Sequence, residues 1–193
     1  MDLGKLTIRL VVGGFFAGHG LQKLRGSFGG PGLEGTRQMM EALQMHPARQ
    51  NALAASLAET VGGGAIVLGA GTPFAAAGLI GTMITAVRKV HFANGPWNAN
   101  GGWEYNAVLT AVVAGLATDG PGRVSVDALF GRSRWGFGWG LFALVAGVAG
   151  STVAIEMGKR GAAAAESAPS EDGAVSTDDP AEGATPESAD AAI

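Results

Sequence analysis

Apolar residues along this chain gather into five blocks separated by polar or glycine-rich stretches. The blocks cover residues 6–21, 53–70, 74–92, 105–118 and 137–155. A helix needs about 20 mainly apolar residues to cross a bilayer. The third and fifth blocks meet that directly; the first, second and fourth are short and must borrow interfacial residues. Any one block suits the buried helix of a soluble domain. Five of them in 193 residues, with so little charge between, predict an all-α transmembrane helical bundle: a four-helix core plus a fifth, C-terminal transmembrane helix. Arg9 interrupts the first block, and GHGLQKL is no small-residue cleavage site, so the block reads as a retained helix and not a signal peptide.

The connections are legible too. Gly69, Gly71, Thr72 and Pro73 form a tight turn between the second and third blocks. The long stretch 23–52 has helical spacing near its middle, in Met39, Met40 and Leu43, which predicts an interfacial helix ended by Pro47. GPWNANGGWEY joins the third and fourth blocks, and DGPGRVSVDALFGRSRW leads to the fifth. The organisation expected is a four-helix domain over 1–130, an additional transmembrane helix within 131–160, and a disordered acidic tail over 161–193. The tail is Ala, Ser, Pro, Glu and Asp, too apolar-poor to offset its ordering entropy.

Composition sharpens this picture. Charged residues make up 15%, against about 25% in soluble domains. The 33 glycines would weaken soluble helices, whereas membrane helices use glycine for close packing. The tail holds eight acids and no base; residues 1–160 hold 13 bases and eight acids, a net +5. A basic body suits a lipid bilayer with anionic headgroups. Its bases form no single stripe, which argues against nucleic-acid binding. With no cysteine, disulfides, thiol redox chemistry and Cys-ligated cofactors are excluded.

Ionisable groups within membrane helices are functional candidates by default. If the five blocks span in turn, the 23–52 and 93–104 loops share one side. His19 and Lys23 end the first helix there, and Glu59 lies about two turns into the second. Arg88, Lys89 and His91 end the third; Trp97, Trp103, Glu104 and Tyr105 lead into the fourth. Arg9, Asp119 and Asp127 form a thinner set on the other side. The ETVGGG run places the Glu59 carboxylate beside a small-residue seam open to another helix. Ordinary readings compete: lysines snorkel to headgroups, and Trp and Tyr form an interfacial belt. Glu59 is the hardest to dismiss, because its ionised form needs a cation from Lys23, Arg88 or His19, in that order. No metal-site spacing is present.

These residues also carry a family resemblance. RLVVGGFFAGHGLQKL, FGGPGLEGTRQMMEALQMHP, LAETVGGGAIVLGAGTPFAAAGLIGTMITAV, VHFANGPWNANGGWEYNAVL and DGPGRVSVD occur in order over about residues 3–130. In this the chain resembles the DoxX family of small bacterial membrane proteins. The resemblance implies a four-helix transmembrane core, a multi-pass plasma-membrane location and a link to membrane oxidoreductase systems, including thiosulfate:quinone oxidoreductase subunits and oxidative-stress complexes. Its polar motif positions correspond here to His19, Lys23, Glu59, His91, Trp97, Glu104 and Tyr105. The block at 137–155 and the acidic tail depart from the plain family pattern.

The leading functional expectation is a quinone-linked oxidoreductase or the membrane subunit of a redox complex, with redox proteins as partners. His19 or His91 would exchange protons with quinone oxygens, Glu59 would relay them, and Arg88 or Lys23 would stabilise a developing anion. Trp97, Glu104 and Tyr105 would help hold the ligand. A non-enzymatic membrane scaffold and a small-molecule or lipid carrier are the alternatives. Basic residues favour, weakly, cytoplasmic placement of the 23–52 and 93–104 loops.

Overall fold

The computed structural model describes residues 2–167, which are helical with no strand among them. Helix α1 spans Leu3–Arg25, α2 Gly32–Ala42, α3 Ala48–Leu68, α4 Thr72–Ala86, α5 Glu104–Asp119, α6 Val126–Leu129 and α7 Phe137–Ser167. A π-helical turn, Val87–His91, extends α4. Each apolar block became a long helix. The stretch around Met39 and Met40 became α2, which stops at Ala42, short of Leu43; Pro47 instead precedes α3. Two helices, α3 and α7, are long and apolar enough to cross a membrane. α4 and α5 run only 15 and 16 residues, and α1 carries Lys5, Arg9, Lys23 and Arg25. α7 continues past Gly161, where the sequence puts the start of the tail, to Ser167; residues 168–193 lie outside the described residues.

Small residues decide which helices meet. The buried stripe Ala52, Ser56, Glu59, Gly63 and Ile66 of α3 recurs every three or four residues and faces α1. A Cβ on Gly13 would fall 2.7 Å from the Gly63 carbonyl oxygen, and one on Gly63 would fall 2.6 Å from that of Gly13. The two backbones therefore touch there, as the ETVGGG seam led us to expect. α4 packs between α5 and α7. Gly147 of α7 sits so close to α4 that a Cβ would lie 2.8 Å from the Ile80 Cβ. Phe16, Ile66, Leu79, Ile80, Val113 and Leu116 fill the centre. Large apolar side chains also cover the outside, among them Phe15, Val61, Phe74, Val108, Val145 and Val153. That is the distribution expected of a bundle surrounded by lipid.

One end of the bundle is closed by two charges. The α3–α4 turn leaves the last carbonyls of α3 and the first amides of α4 without helical partners. Arg9, 2% exposed, reaches from α1 and donates to Ile66 O (3.0 Å), Val67 O (2.6 Å), Pro121 O (2.9 Å) and Val124 O (2.6 Å). Asp127 accepts from Gly71 N–H (2.7 Å), Thr72 N–H (3.0 Å), the Thr72 hydroxyl (2.8 Å) and the Trp135 indole N–H (3.0 Å). The cation thus sits at a helix C-terminus and the anion at a helix N-terminus, each favoured by the helix dipole. The Asp127 amide donates to Gly69 O (2.8 Å), which completes the clasp.

Burial pushes the Asp127 carboxyl up, but the Thr72, Gly71 and Trp135 donors outweigh it and hold its pKa below the ordinary value. A depressed folded pKa means stability that is present above the unfolded pKa, near 3.9, and lost as pH falls through the folded value. Asp127→Asn should cost about 1–3 kcal/mol at pH 7, because its amide nitrogen replaces one accepting oxygen and strands the donors aimed there. It should also flatten the acid limb of the melting temperature measured in neutral detergent below pH 4. An unchanged acid limb would show that Asp127 does not carry that linkage.

Candidate functional site

Midway along α3, on the other side of the Gly13–Gly63 contact from the clasp, lies another buried charge. Glu59 starts about three turns into α3, counted from Ala48, deeper than the apolar block implied. Its side chain is 3% exposed. Lys23, in the last turn of α1, places its ammonium 2.5 Å from Glu59 Oε1 and 2.6 Å from Oε2. The α2 helix is pinned over this pair by the Thr36 hydroxyl, which donates to the Lys23 carbonyl at 3.1 Å. Removing either partner would leave a charge buried and unpaired. An ammonium has three N–H groups, and Glu59 takes two of them.

The pair forms part of the wall of a cavity of about 370 Å³ between α2, α3, α4 and α7, within the usual range for small-molecule sites. The rest of the wall is mostly apolar or small: Met39, Met40 and Leu43 from α2, Ala55 and Ala58 from α3, Gly81 and Ala86 from α4, Ala146 and Ala154 from α7. Ala54, Gly78 and Gly150 line it and are exposed, so it opens on the outer face of the bundle. A Cβ on Gly78 or Gly150 would meet nothing within 4 Å. Polar groups are few: the pair itself, Lys89, Asn51, Thr82, Thr85 and Ser151. Thr85 and Ser151, hydroxyl to hydroxyl at 2.9 Å, tie α4 to α7 beside the cavity.

The structure divides the polar residues that the topology groups on one side. Lys23 and Glu59 come together, and Lys23 is the first-ranked of the three expected partners. His19 is exposed on another side of α1; its Nδ1 lies 3.1 Å from Gln22 Oε1, and it borders a separate groove with Phe15 and Phe28. Arg88 turns outward and donates to the Thr152 hydroxyl at 3.1 Å. His91 Nδ1 lies 2.7 Å from Gly101 O and fastens the 92–103 loop. Trp97 and Tyr105 are exposed, and Glu104 opens α5; none of the three lines the cavity. No cluster of three or more potential metal ligands occurs among the described residues. What sequence reading missed is the contribution of α7, for which the only signal was the small-residue run of GVAGSTVA. Lys89, which the sequence groups with Arg88 and His91 without a role of its own, lines the cavity.

Residues 4–92 match the family model described as DoxX. The match takes in His19, Lys23, Glu59 and His91, and stops before Trp97, Glu104, Tyr105 and α7. No curated protein and no solved structure matches the chain.

A mutant cycle tests the pair. Lys23→Met and Glu59→Gln should each lower stability in detergent by about 3 kcal/mol. The double variant should lose clearly less than the sum of the two. Arg88→Gln combined with Glu59→Gln should be additive, because Arg88 bonds to α7 instead. Additivity at Lys23 would contradict a direct pair.

Proposed function

We propose that this chain, whose residues 4–92 belong to the DoxX family, is a multi-pass plasma-membrane protein that holds a quinone-class ligand as the membrane subunit of a redox system. In this reading α1, α3, α4 and α5 form a four-helix transmembrane core, and α7 is a fifth crossing. The observation that supports it most is the cavity: apolar walls, an opening on the lipid-facing surface, and a buried Lys–Glu pair in the lining. A quinone is an apolar ring and tail with oxygens that only accept hydrogen bonds. The uncommitted Lys23 N–H and the Lys89 ammonium are donors suited to those oxygens. Glu59 holds Lys23 in place through both carboxylate oxygens.

The geometry shifts roles from the sequence expectation. In this reading Lys23 is the group of the pair that would meet a bound quinone, with Glu59 holding it, whereas His19 and His91 stand outside the cavity lining. Trp97 and Tyr105 fit an interfacial belt better than a ligand contact. Electrons would come from a partner protein, as the redox-complex reading supposes.

Gly150→Leu tests this with little cost in packing, since its side chain would extend from a position with open space around it. Protein in phosphatidylcholine nanodiscs should bind decylubiquinone well above the level of empty discs. Gly150→Leu should weaken that binding at least about tenfold while the melting temperature stays within a few degrees. Binding equal to empty discs, or insensitive to Gly150→Leu, would overturn the proposal.

A further inference from the structure

The cavity carries a charge that no described residue compensates. Its lining holds three ionisable groups: Lys23, Glu59 and Lys89. Both Glu59 oxygens are taken by Lys23, so those two cancel. Among the described residues no acid lies within ion-pairing distance of Lys89. The wall is therefore apolar with one net positive charge.

Backbone geometry puts it there. Arg88, Lys89 and His91 fall in the π-helical turn Val87–His91. A π turn holds more residues than an α turn and is frequent at functional sites. Here the basic run is dispersed: Arg88 goes to Thr152 of α7, His91 to the Gly101 carbonyl, and Lys89 with Val90 to the cavity. Lys89 is half-buried and lines an otherwise mostly apolar cavity; an anionic oxygen meeting its ammonium would form a charge-assisted hydrogen bond there.

We infer that Lys89 makes this cavity selective for a ligand whose ring oxygen is negatively charged, the enolate or phenolate form of a quinone-class amphiphile. The inference rests on the cavity being the ligand site. It adds that the charged form binds more tightly than the neutral one, and that Lys89 is the residue that distinguishes them.

The test compares 2-hydroxy-3-alkyl-1,4-naphthoquinone, ionised at pH 8, with its 2-methoxy counterpart carrying the same tail. Both are titrated into protein in phosphatidylcholine nanodiscs, with empty discs subtracted, so that no anionic lipid competes. The hydroxy compound should bind at least about tenfold more tightly to the natural chain. Lys89→Met should bring that ratio close to one, chiefly by weakening the hydroxy compound, and Lys89→Arg should keep it. A ratio unchanged in Lys89→Met, or no preference in the natural chain, overturns the inference and leaves Lys89 as a headgroup-directed lysine. Gly150→Leu separates the two levels. If it blocks both compounds while they bind equally well to the natural chain, the cavity stands and charge selection falls. If it affects neither, the cavity reading falls and takes the inference with it.

Discussion

A fully buried charge inside an apolar bundle must find its partner in the same chain, because neither lipid nor core side chains can solvate it. Two groups show how far that constraint shapes this protein. Arg9 gathers carbonyls from α3 and from the 121–124 segment, and thereby fixes where α1, the α3–α4 turn and the chain after α5 meet. Glu59 draws Lys23 down from the end of α1 and sets the depth of that helix against α3. Between these points Gly13 and Gly63 let the backbones touch. The α1–α3 pair is thus pinned at two levels and close-packed between them. The other helices assemble around it: α4 through the turn, α5 and α7 through α4.

The same constraint explains what the sequence reveals and what it hides. Hydropathy located every long helix, because outward-facing and core-facing positions are both mostly apolar and isolated charges such as Arg9 and Glu59 do not break the pattern. The Glu59–Lys23 pair was foreseeable from composition: a lone carboxylate in an apolar block requires a cation, and Lys stays charged where His need not. The grouping of His19, Arg88 and His91 around it was not, because a loop-based topology gives depth but not azimuth. His19 shares Lys23's end of α1 yet lies on another face, and a π turn separates Arg88, Lys89 and His91. The Asp127 clasp was hidden for a further reason. Its partners Gly71 and Thr72 are 55 or more residues away, and nothing local marks an acid as the cap of someone else's helix.

α7 changes what the matched segment can do. Residues 4–92 supply Lys23, Glu59, Lys89 and most of the cavity wall, but the wall is closed by Ala146, Gly150, Ser151 and Ala154. Farther along, Gly158 and Gly161 of α7 press on Met45 and His46, where a side chain would collide, so the helix also braces the connection between α2 and α3. At about 1.5 Å per residue, the apolar portion 137–155 covers roughly a bilayer core, and the remainder of α7 extends beyond it. The carboxyl-terminal addition is thus a structural wall of the proposed site.

The central requirement is that the chain crosses a membrane with α2 and the clasp on opposite sides. The absence of native cysteine makes that directly measurable. Single cysteines placed at Gln38, Asn98, Leu129 and Lys159, all exposed, can be labelled with a membrane-impermeant maleimide in intact and inverted vesicles. Gln38, Asn98 and Lys159 should react from one face and Leu129 only from the other. Labelling of Leu129 from the same face as Asn98 would contradict the transmembrane arrangement on which the cavity's lipid opening depends.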